Sequence, residues 1–304
     1  MLIILGLAGS WLGLLGRWHW ALDQFSHFRW QYLALCIPSV AWTLWRKRRW
    51  LLMASLAILI LNGWLIGSVS WSEHPVGKMS DATLRVVSLN VLTSNPNKEG
   101  VLNYLQRVDA DVLFLMEVDD AWVQALEDLK KSHPHHLVQA RRDNFGLAIF
   151  SRIPLKDAHF IWHRESQVAS VEARAVDQGH ELVILGTHPL PPIGALGTAM
   201  RDAQLKSIAA HVATLDVPVL VIGDLNSAPW SHGMNVLKSG STLTDRGMDS
   251  PAMPTWRVGS IVAIPIDHAL CTPPLVITGR KVGRYVGSDH RPLEVAVGWL
   301  KPSL

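Results

Sequence analysis

Residues 218–230 read PVLVIGDLNSAPW. The run Val219–Ile222 is apolar and mostly β-branched, as in a buried strand. It leads directly into Gly223, Asp224, Leu225 and Asn226. In an extended chain residues i and i+2 share a face. The stretch therefore presents a carboxylate and an amide side by side at a strand end. The same residues also spell a turn, because Gly, Asp and Asn are turn formers. The flanking sequence decides between the two readings.

The pattern recurs along the chain. TLRVVSLNV (83–91) is a strand ending near Asn90, and DVLFLMEV (111–118) a second ending at Glu117. FGLAIFSR (145–152) is a third. SVEARAV (170–176) and ELVILGTH (181–188) form a hairpin whose second arm ends at His188. IDHALCT (266–272) carries Asp267, and PLEVAVGWL (292–300) follows Asp289 and His290. Between the strands, EGVLNYLQRVDA has apolar residues at 101, 102, 105 and 108, a helical spacing. DAWVQALEDLKK (120–131) and MRDAQLKSIAAHVATL (200–215) are helical too. Strands mixed with covering helices indicate two packed sheets in an α+β layout. About 215 residues suffice for a substantial core. One polar residue at the end of an apolar run is noise. Eight of them (Asn90, Glu117, His188, Asp224, Asn226, Asp267, Asp289 and His290) are all of types that bind hard cations or move protons. That turns Asp224 and Asn226 from turn residues into members of a site.

The first 72 residues have a different character. Nine of the 14 Trp lie there, and Trp in apolar segments suits the membrane interface. Trp50 to Ser72 is an uncharged run, longer than the ~20 residues a crossing needs. Leu2–Gly16 and Trp30–Trp45 are shorter uncharged runs that cross only by borrowing flanking residues, with Arg17 or Arg29 snorkelling; a re-entrant hairpin is the alternative. No basic n-region or cleavage site marks a signal peptide. The expectation is a membrane segment over 1–72 with three transmembrane helices (about 2–22, 26–45 and 50–71), a linker over 73–81 and a catalytic domain over 82–300. RKRR at 46–49 should stay cytoplasmic, which puts the domain on the extracytoplasmic side of a multi-pass inner-membrane protein.

Charge narrows the partner. Residues 82–298 hold 20 Lys+Arg against 22 Asp+Glu, a net of −2, so the overall +3 comes from the front segment. A protein that tracks a nucleic-acid backbone shows a basic footprint. Cys36 and Cys271 form no zinc or disulfide pattern. His133, His135 and His136 look like a metal cluster but read as a polar, solvated loop without partnering ligands.

The pieces SLN (88–90), MEV (116–118), GTHP (186–189), GDLNS (223–227), IDHAL (266–270) and GSDHRP (287–292) resemble, in order, the motifs of the endonuclease/exonuclease/phosphatase superfamily, the DNase I-like group. Met116 departs from the Gln common before the family's metal-binding Glu. The anchored layout is similar to a membrane-bound branch of VanJ-type teicoplanin-resistance proteins, which are thought to act on the outer membrane face. The resemblance implies a four-layered α/β sandwich behind an N-terminal transmembrane segment, and hydrolysis of a phosphoester or pyrophosphate with Mg²⁺ or Mn²⁺. It implies Asn90, Glu117 and Asp289 as metal residues. His290 would be the general base, Asp267 its orienting carboxylate, and His188 a donor to phosphoryl oxygens. Asp224 would position the nucleophile and Asn226 hold the phosphoryl group, with Asn144 near His188. Trp256 either flanks the substrate or packs. The expected partners are the membrane and a phosphorylated, lipid-linked substrate. The alternatives are an extracytoplasmic nuclease, less favoured by the charge, and a non-catalytic binding module.

Overall fold

The computed structural model describes residues 2–70, 84–177, 179–245, 253–259 and 262–300. The expected linker 73–81 lies outside them.

Alternation builds the sheets. In β1 (Leu84–Asn90), Leu84 and Val86 face one way and Val87 and Leu89 the other, because successive side chains change face. Helix α5 (Lys98–Arg107), capped by Asn97, leads to β2 (Val112–Met116). Then follow α6 (Asp120–Ala125), capped by Asp119, β3 (His135–Gln139), β4 (Leu147–Ser151), β5 (Leu155–His163), β6 (Val168–Asp177) and β7 (His180–Thr187). The chain continues through α7 (Gly194–Val212), β8 (Val219–Asp224), α8 (His232–Ser239), β9 (Trp256–Val258), β10 (Val262–Ile264), β11 (Asp267–Cys271), β12 (Leu275–Val282) and β13 (Leu293–Trp299).

Among the described residues two mixed sheets and a small antiparallel pair, β9 with β10, result. The first has the order β12-β13-β1-β2-β4-β3, the second β11-β8-β7-β6-β5. Among the described residues only β1 with β2 and β7 with β8 pair in parallel; the other pairs are antiparallel. Their inner faces share a core that includes Val86, Phe114, Ile149, Ile184, Ile222 and Val295. Val101, Leu105 and Trp122 of α5 and α6 cover the outer face of the first sheet. Leu205, Ile208, Met234 and Leu237 of α7 and α8 cover that of the second. The order is helix, sheet, sheet, helix: an α+β fold of four layers. The helical reading of 120–131 resolves into α6 and a 3-10 turn at Glu127–Lys131. The solvated loop expected around His133–His136 is instead an edge strand. His133 is buried with Nε2 3.1 Å from the Ala110 carbonyl, and His135 and His136 lie in β3.

The front segment departs from three long crossings. It forms α1 (Leu2–Leu12), α2 (Trp20–Gln24), α3 (Arg29–Trp45) and α4 (Arg49–Ser70). Among the described residues one helix, over Arg49–Val69, is long and apolar enough to cross a membrane. The expected span 2–22 is broken: α1 stops at Leu12, a 3-10 turn follows at Gly13–Leu15, and α2 starts at Trp20. The physical cause is close packing. A Cβ at Gly13 would meet Arg29 Nη2 at 2.7 Å, and one at Gly16 would meet Asp23 Oδ1 at 2.7 Å. The expected span 26–45 opens with a 3-10 turn at Phe25–Phe28, leaving α3 with 17 residues and an internal Pro38. Tyr32 and Cys36 of α3 pack on Ile58 of α4.

The two parts are docked. Asp23 Oδ2 receives Arg201 Nη2 of α7 at 2.9 Å, both side chains buried. Asp23 Oδ1 accepts from the His232 backbone N–H at 2.7 Å. Gln24 Nε2 donates to the Pro192 carbonyl at 2.9 Å, and Gln31 Nε2 to that of Ala263 at 2.6 Å.

Candidate active site

Strand ends converge at one edge of the sandwich. Asp224 continues the inward-facing series Leu220, Ile222 on β8, and Asp267 the series Cys271, Ala269 on β11. The antiparallel register sets Asp267 directly opposite Asp224. Two buried carboxylates so placed repel. His290 offsets this: its Nδ1 lies 2.9 Å from Asp267 Oδ2 and its Nε2 3.5 Å from Asp224 Oδ2. Burial alone would lower the His290 pKa, but Asp267 and then Asp224 outweigh it and raise it to about 10. Asp224 receives a second imidazole, His188 Nε2, at 3.4 Å. Burial works to raise the Asp224 pKa; His290 and His188 overcome it and hold the group below the ordinary carboxylate range.

Glu117 reaches the site by an irregularity. Strict alternation beyond Met116 would turn it to the outer face. Its φ of 62° places it in the left-handed region and breaks that alternation. Its Oε1 accepts from Asn90 Nδ2 at 2.8 Å and its Oε2 from the Thr93 N–H at 3.2 Å. Asn90 Nδ2 also lies 3.5 Å from Asp224 Oδ2, which joins the Glu117 and Asp224 ends of the site. Asn226 (φ 48°) and Asn144 (φ 68°) are left-handed too. Strained residues of this kind gather at functional sites. Asn226 sits past the strand end rather than level with Asp224 on it. Its N–H donates to Asp224 Oδ1 at 2.9 Å and its side chain to the Pro189 carbonyl at 3.0 Å. Met116 ties the two sheets together beneath the site, because its Sδ accepts the Asp224 N–H at 3.1 Å.

Asp289 is positioned by Trp256, whose Nε1 donates to its Oδ2 at 2.9 Å. Ser288 Oγ donates to the Asn90 carbonyl at 2.7 Å and accepts from the His290 N–H at 3.0 Å. Asn90, Glu117, His188, Asp224, Asn226, Asp289 and His290 all line one pocket of about 480 Å³, while Asp267 stands behind His290. Asn144 and Trp256 line it too, and the Phe145 ring lies 5.4 Å from that of His188.

The donor set suits a hard divalent cation. The lining offers carboxylates (Glu117, Asp143, Asp224 and Asp289) and amides, and no Lys or Arg among the described residues. His188 Nδ1 and Asp267 Oδ1 are buried without a hydrogen-bond partner. Asp224, Asp267 and His290 have donor atoms within 4.8 Å of one another. Within that group His290 Nδ1 and Asp267 Oδ2 already engage each other at 2.9 Å.

Sequence reading missed part of this pocket. Gln24, the last residue of α2, with His27 and Phe28 of the following turn, forms one wall beside Pro191, Pro192 and Ile193. The available signal was the polar run DQFSHFR (23–29) interrupting an apolar region.

A search of curated proteins finds no match. Among solved structures the chain is similar to humanized D. rerio TDP2 (18% identity, TM-score 0.59, covering 71% of this chain and 98% of that one). It is similar to sphingomyelinase C from Streptomyces griseocarneus (15% identity, TM-score 0.55, 70% of this chain and 99% of that one). It also resembles an endonuclease/exonuclease/phosphatase from Bacteroides vulgatus (15% identity, TM-score 0.59, 73% and 100%). At these identities the likeness is one of fold. The model of the Endonuclease/Exonuclease/phosphatase family matches residues 87–290, which run from the middle of β1 to His290. With two thirds of its length matched and that family's sandwich around the converging residues, the chain belongs to the endonuclease/exonuclease/phosphatase family.

Proposed function

We propose that the protein is a membrane-tethered, divalent-metal-dependent phosphoesterase that cleaves a phosphate ester or pyrophosphate of a lipid-linked substrate at the extracytoplasmic face, as in the VanJ-type branch. Its family comprises hydrolases of phosphoester bonds. One observation carries the finer reading: the buried chain Asp267–His290–Asp224–His188 opens into a pocket whose far wall is the N-terminal segment. A phosphoryl group can reach the polar end while an apolar tail lies against Phe28, Ile193 and Ile264.

Mg²⁺ or Mn²⁺ would be held by Glu117, Asn90 and Asp289 and supply Lewis-acid stabilisation of developing phosphoryl charge. Asp224, fixed by the Asn226 N–H, orients the attacking water and takes its proton. His290, with its raised pKa and Asp267 behind it, is an imidazolium at neutral pH. It therefore acts as a charged donor to the phosphoryl group, a role better suited to this environment than general base. His188 donates from the other side, and Asn226 steadies the phosphoryl group.

The membrane reading rests on α4, which is long enough at about 33 Å to span the ~30 Å core. Trp50, Ile60 and Trp64 stand more than half exposed along it. The start of α3 touches the domain, while RKRR at 46–49 sits at the far end of the α3–α4 hairpin. The absence of Lys and Arg from the described pocket lining speaks against a nucleic-acid track.

The test is a substrate panel on the full chain: undecaprenyl pyrophosphate, phospholipids, sphingomyelin and plasmid DNA, each with Mg²⁺, Mn²⁺ or EDTA. Metal-dependent release of phosphate or headgroup from a lipid supports the proposal. Cleavage of DNA alone, or ligand retention without turnover, replaces it with the nuclease or binding alternative.

A further inference from the structure

A second cavity, of about 340 Å³, lies between the front helices and the domain. It is lined by the turn after α1, the last turns of α4 and the loop leading into α8. Its chemistry is opposite to that of the catalytic pocket. Arg17 and Arg29 line it, with Trp230, His232 and Asn235, and no Asp or Glu lines it among the described residues.

Arg29 is the telling residue. It is fully buried. Nη1 donates to the Ser10 carbonyl at 2.6 Å and to Asn62 Oδ1 at 3.3 Å, both neutral acceptors. Nε and Nη2 have no hydrogen-bond partner. Nη2 is the atom that a Cβ at Gly13 would strike, and Gly13 is itself part of the cavity wall. A buried guanidinium without a counter-charge is costly, because the desolvation of the ion goes uncompensated. Asp23, the carboxylate packed against Gly16 of the cavity wall, is committed elsewhere. Asp23 gives Oδ2 to Arg201 at 2.9 Å and Oδ1 to the His232 N–H at 2.7 Å. A planar fork with two free N–H directions, and a second arginine on the same cavity, matches the oxygens of a phosphate.

We propose that this cavity is an anion-binding site that takes the phosphate of a lipid headgroup. Leu14 of its lining and the sequence neighbours of other lining residues favour the lipid source. Trp11, Leu14, Trp18 and Trp64 are 54%, 42%, 63% and 65% exposed near it along the chain, an aromatic and apolar fringe of the kind that sits at headgroup level. A headgroup bound there would lie beside the Asp23–Arg201 contact that docks the two parts, and would strengthen that docking by mass action.

The test uses the full chain in neutral detergent with EDTA, which removes any metal contribution from the catalytic pocket, while variants of this cavity's own lining separate its response from binding at that pocket. Thermal unfolding is followed while dioctanoyl phosphatidylglycerol or inorganic phosphate is titrated. The lipid should raise the midpoint at a concentration at least about tenfold below that needed for phosphate. Arg17→Gln should raise the required concentration of both by about tenfold, the loss of one charge-assisted contact. Arg29→Gln should abolish the response; if that variant does not fold, Arg17→Gln and Asn235→Leu decide. Equal response to phosphate and lipid would withdraw the lipid assignment. No response to either, or responses unchanged in Arg17→Gln and Asn235→Leu, would overturn the site.

Discussion

Asp267 and Asp224 face each other across β11 and β8, and a single imidazole reconciles them. In the proposed mechanism His290 and Asp267 act as one unit, and such units are non-additive in mutant kinetics. His290→Ala should lower kcat by at least ~10²-fold, the loss of one charged donor to the phosphoryl group. Asp267→Asn should cost less, since the ring remains but its charge and orientation are no longer held. The double variant should be no slower than His290→Ala alone, as measured in a double-mutant cycle. Full additivity would assign Asp267 to the fold. Glu117 makes a different prediction. Its carboxylate is aimed by a left-handed backbone and two hydrogen bonds. Glu117→Gln should weaken Mn²⁺ binding, read by electron paramagnetic resonance, by at least about tenfold while circular dichroism stays unchanged. An unaltered Mn²⁺ affinity would place the cation elsewhere.

At the scale of elements, β7 and β8 come close enough for only hydrogen to fit at Gly223. A Cβ there would collide with the Thr187 carbonyl, and φ is +146°. Gly223→Ala should therefore destabilise the domain by more than ~2 kcal/mol, from steric overlap and strain together, seen as a lowered thermal midpoint. The contact between α2 and α7 is testable in the same way. Asp23→Ala strips Arg201 of one buried partner, though Asp202 Oδ1 remains 2.9 Å from Nε. A loss near the lower end of the ~3–5 kcal/mol for a broken buried pair is expected. Arg201 Nη1 also donates to the Asn226 carbonyl at 3.1 Å, so the same change should reduce turnover. Unchanged stability and turnover would show the docking to be incidental. The strands absent from the sequence reading, among them β3, β5 and β12, share one cause. β3 and β5 are edge strands with weak burial, and β12 is buried only in its first half, so their alternation is blurred.

For the whole molecule, acid should be the destabilising direction. His163 is buried between Ser170 Oγ at 2.8 Å and Ser207 Oγ at 3.3 Å, and desolvation lowers its pKa to about 4. The unfolded chain binds that proton near 6.5. Between the two values the unfolded state holds more protons, so stability is complete above about 6.5 and is lost as pH falls toward 4. His163→Gln should flatten the thermal midpoint against pH in that window, by on the order of 2 kcal/mol at its lower end. An identical slope would move the acid sensitivity to another group. Topology belongs to this scale as well. Alkaline phosphatase fused after Leu304 should be active and fused after Arg48 inactive, because the proposed orientation keeps RKRR on the inner side. The reverse pattern would invert the orientation.

The polar residues that end apolar runs were legible in the chain itself. Alternation of side chains assigns Asn90, Asp224 and Asp267 to the inner face of their strands, and the motif order carries the family. The buried-strand and helix periods likewise carry the two-sheet layout, because both record which faces leave water. What needed the tertiary structure was everything set by registers and irregular backbone. The pairing of Asp267 with Asp224 depends on strand register. The reach of Glu117 depends on one left-handed residue that breaks the alternation. The charge on His290 depends on two carboxylates at different places in the chain. The N-terminal wall of the pocket rests on contacts between residues far apart in the chain, such as Gln24 with Pro192, 168 positions on. The cavity holding Arg29 likewise joins the front helices to the loop before α8. Local periodicity has no access to such distances; only the packed chain brings these groups together.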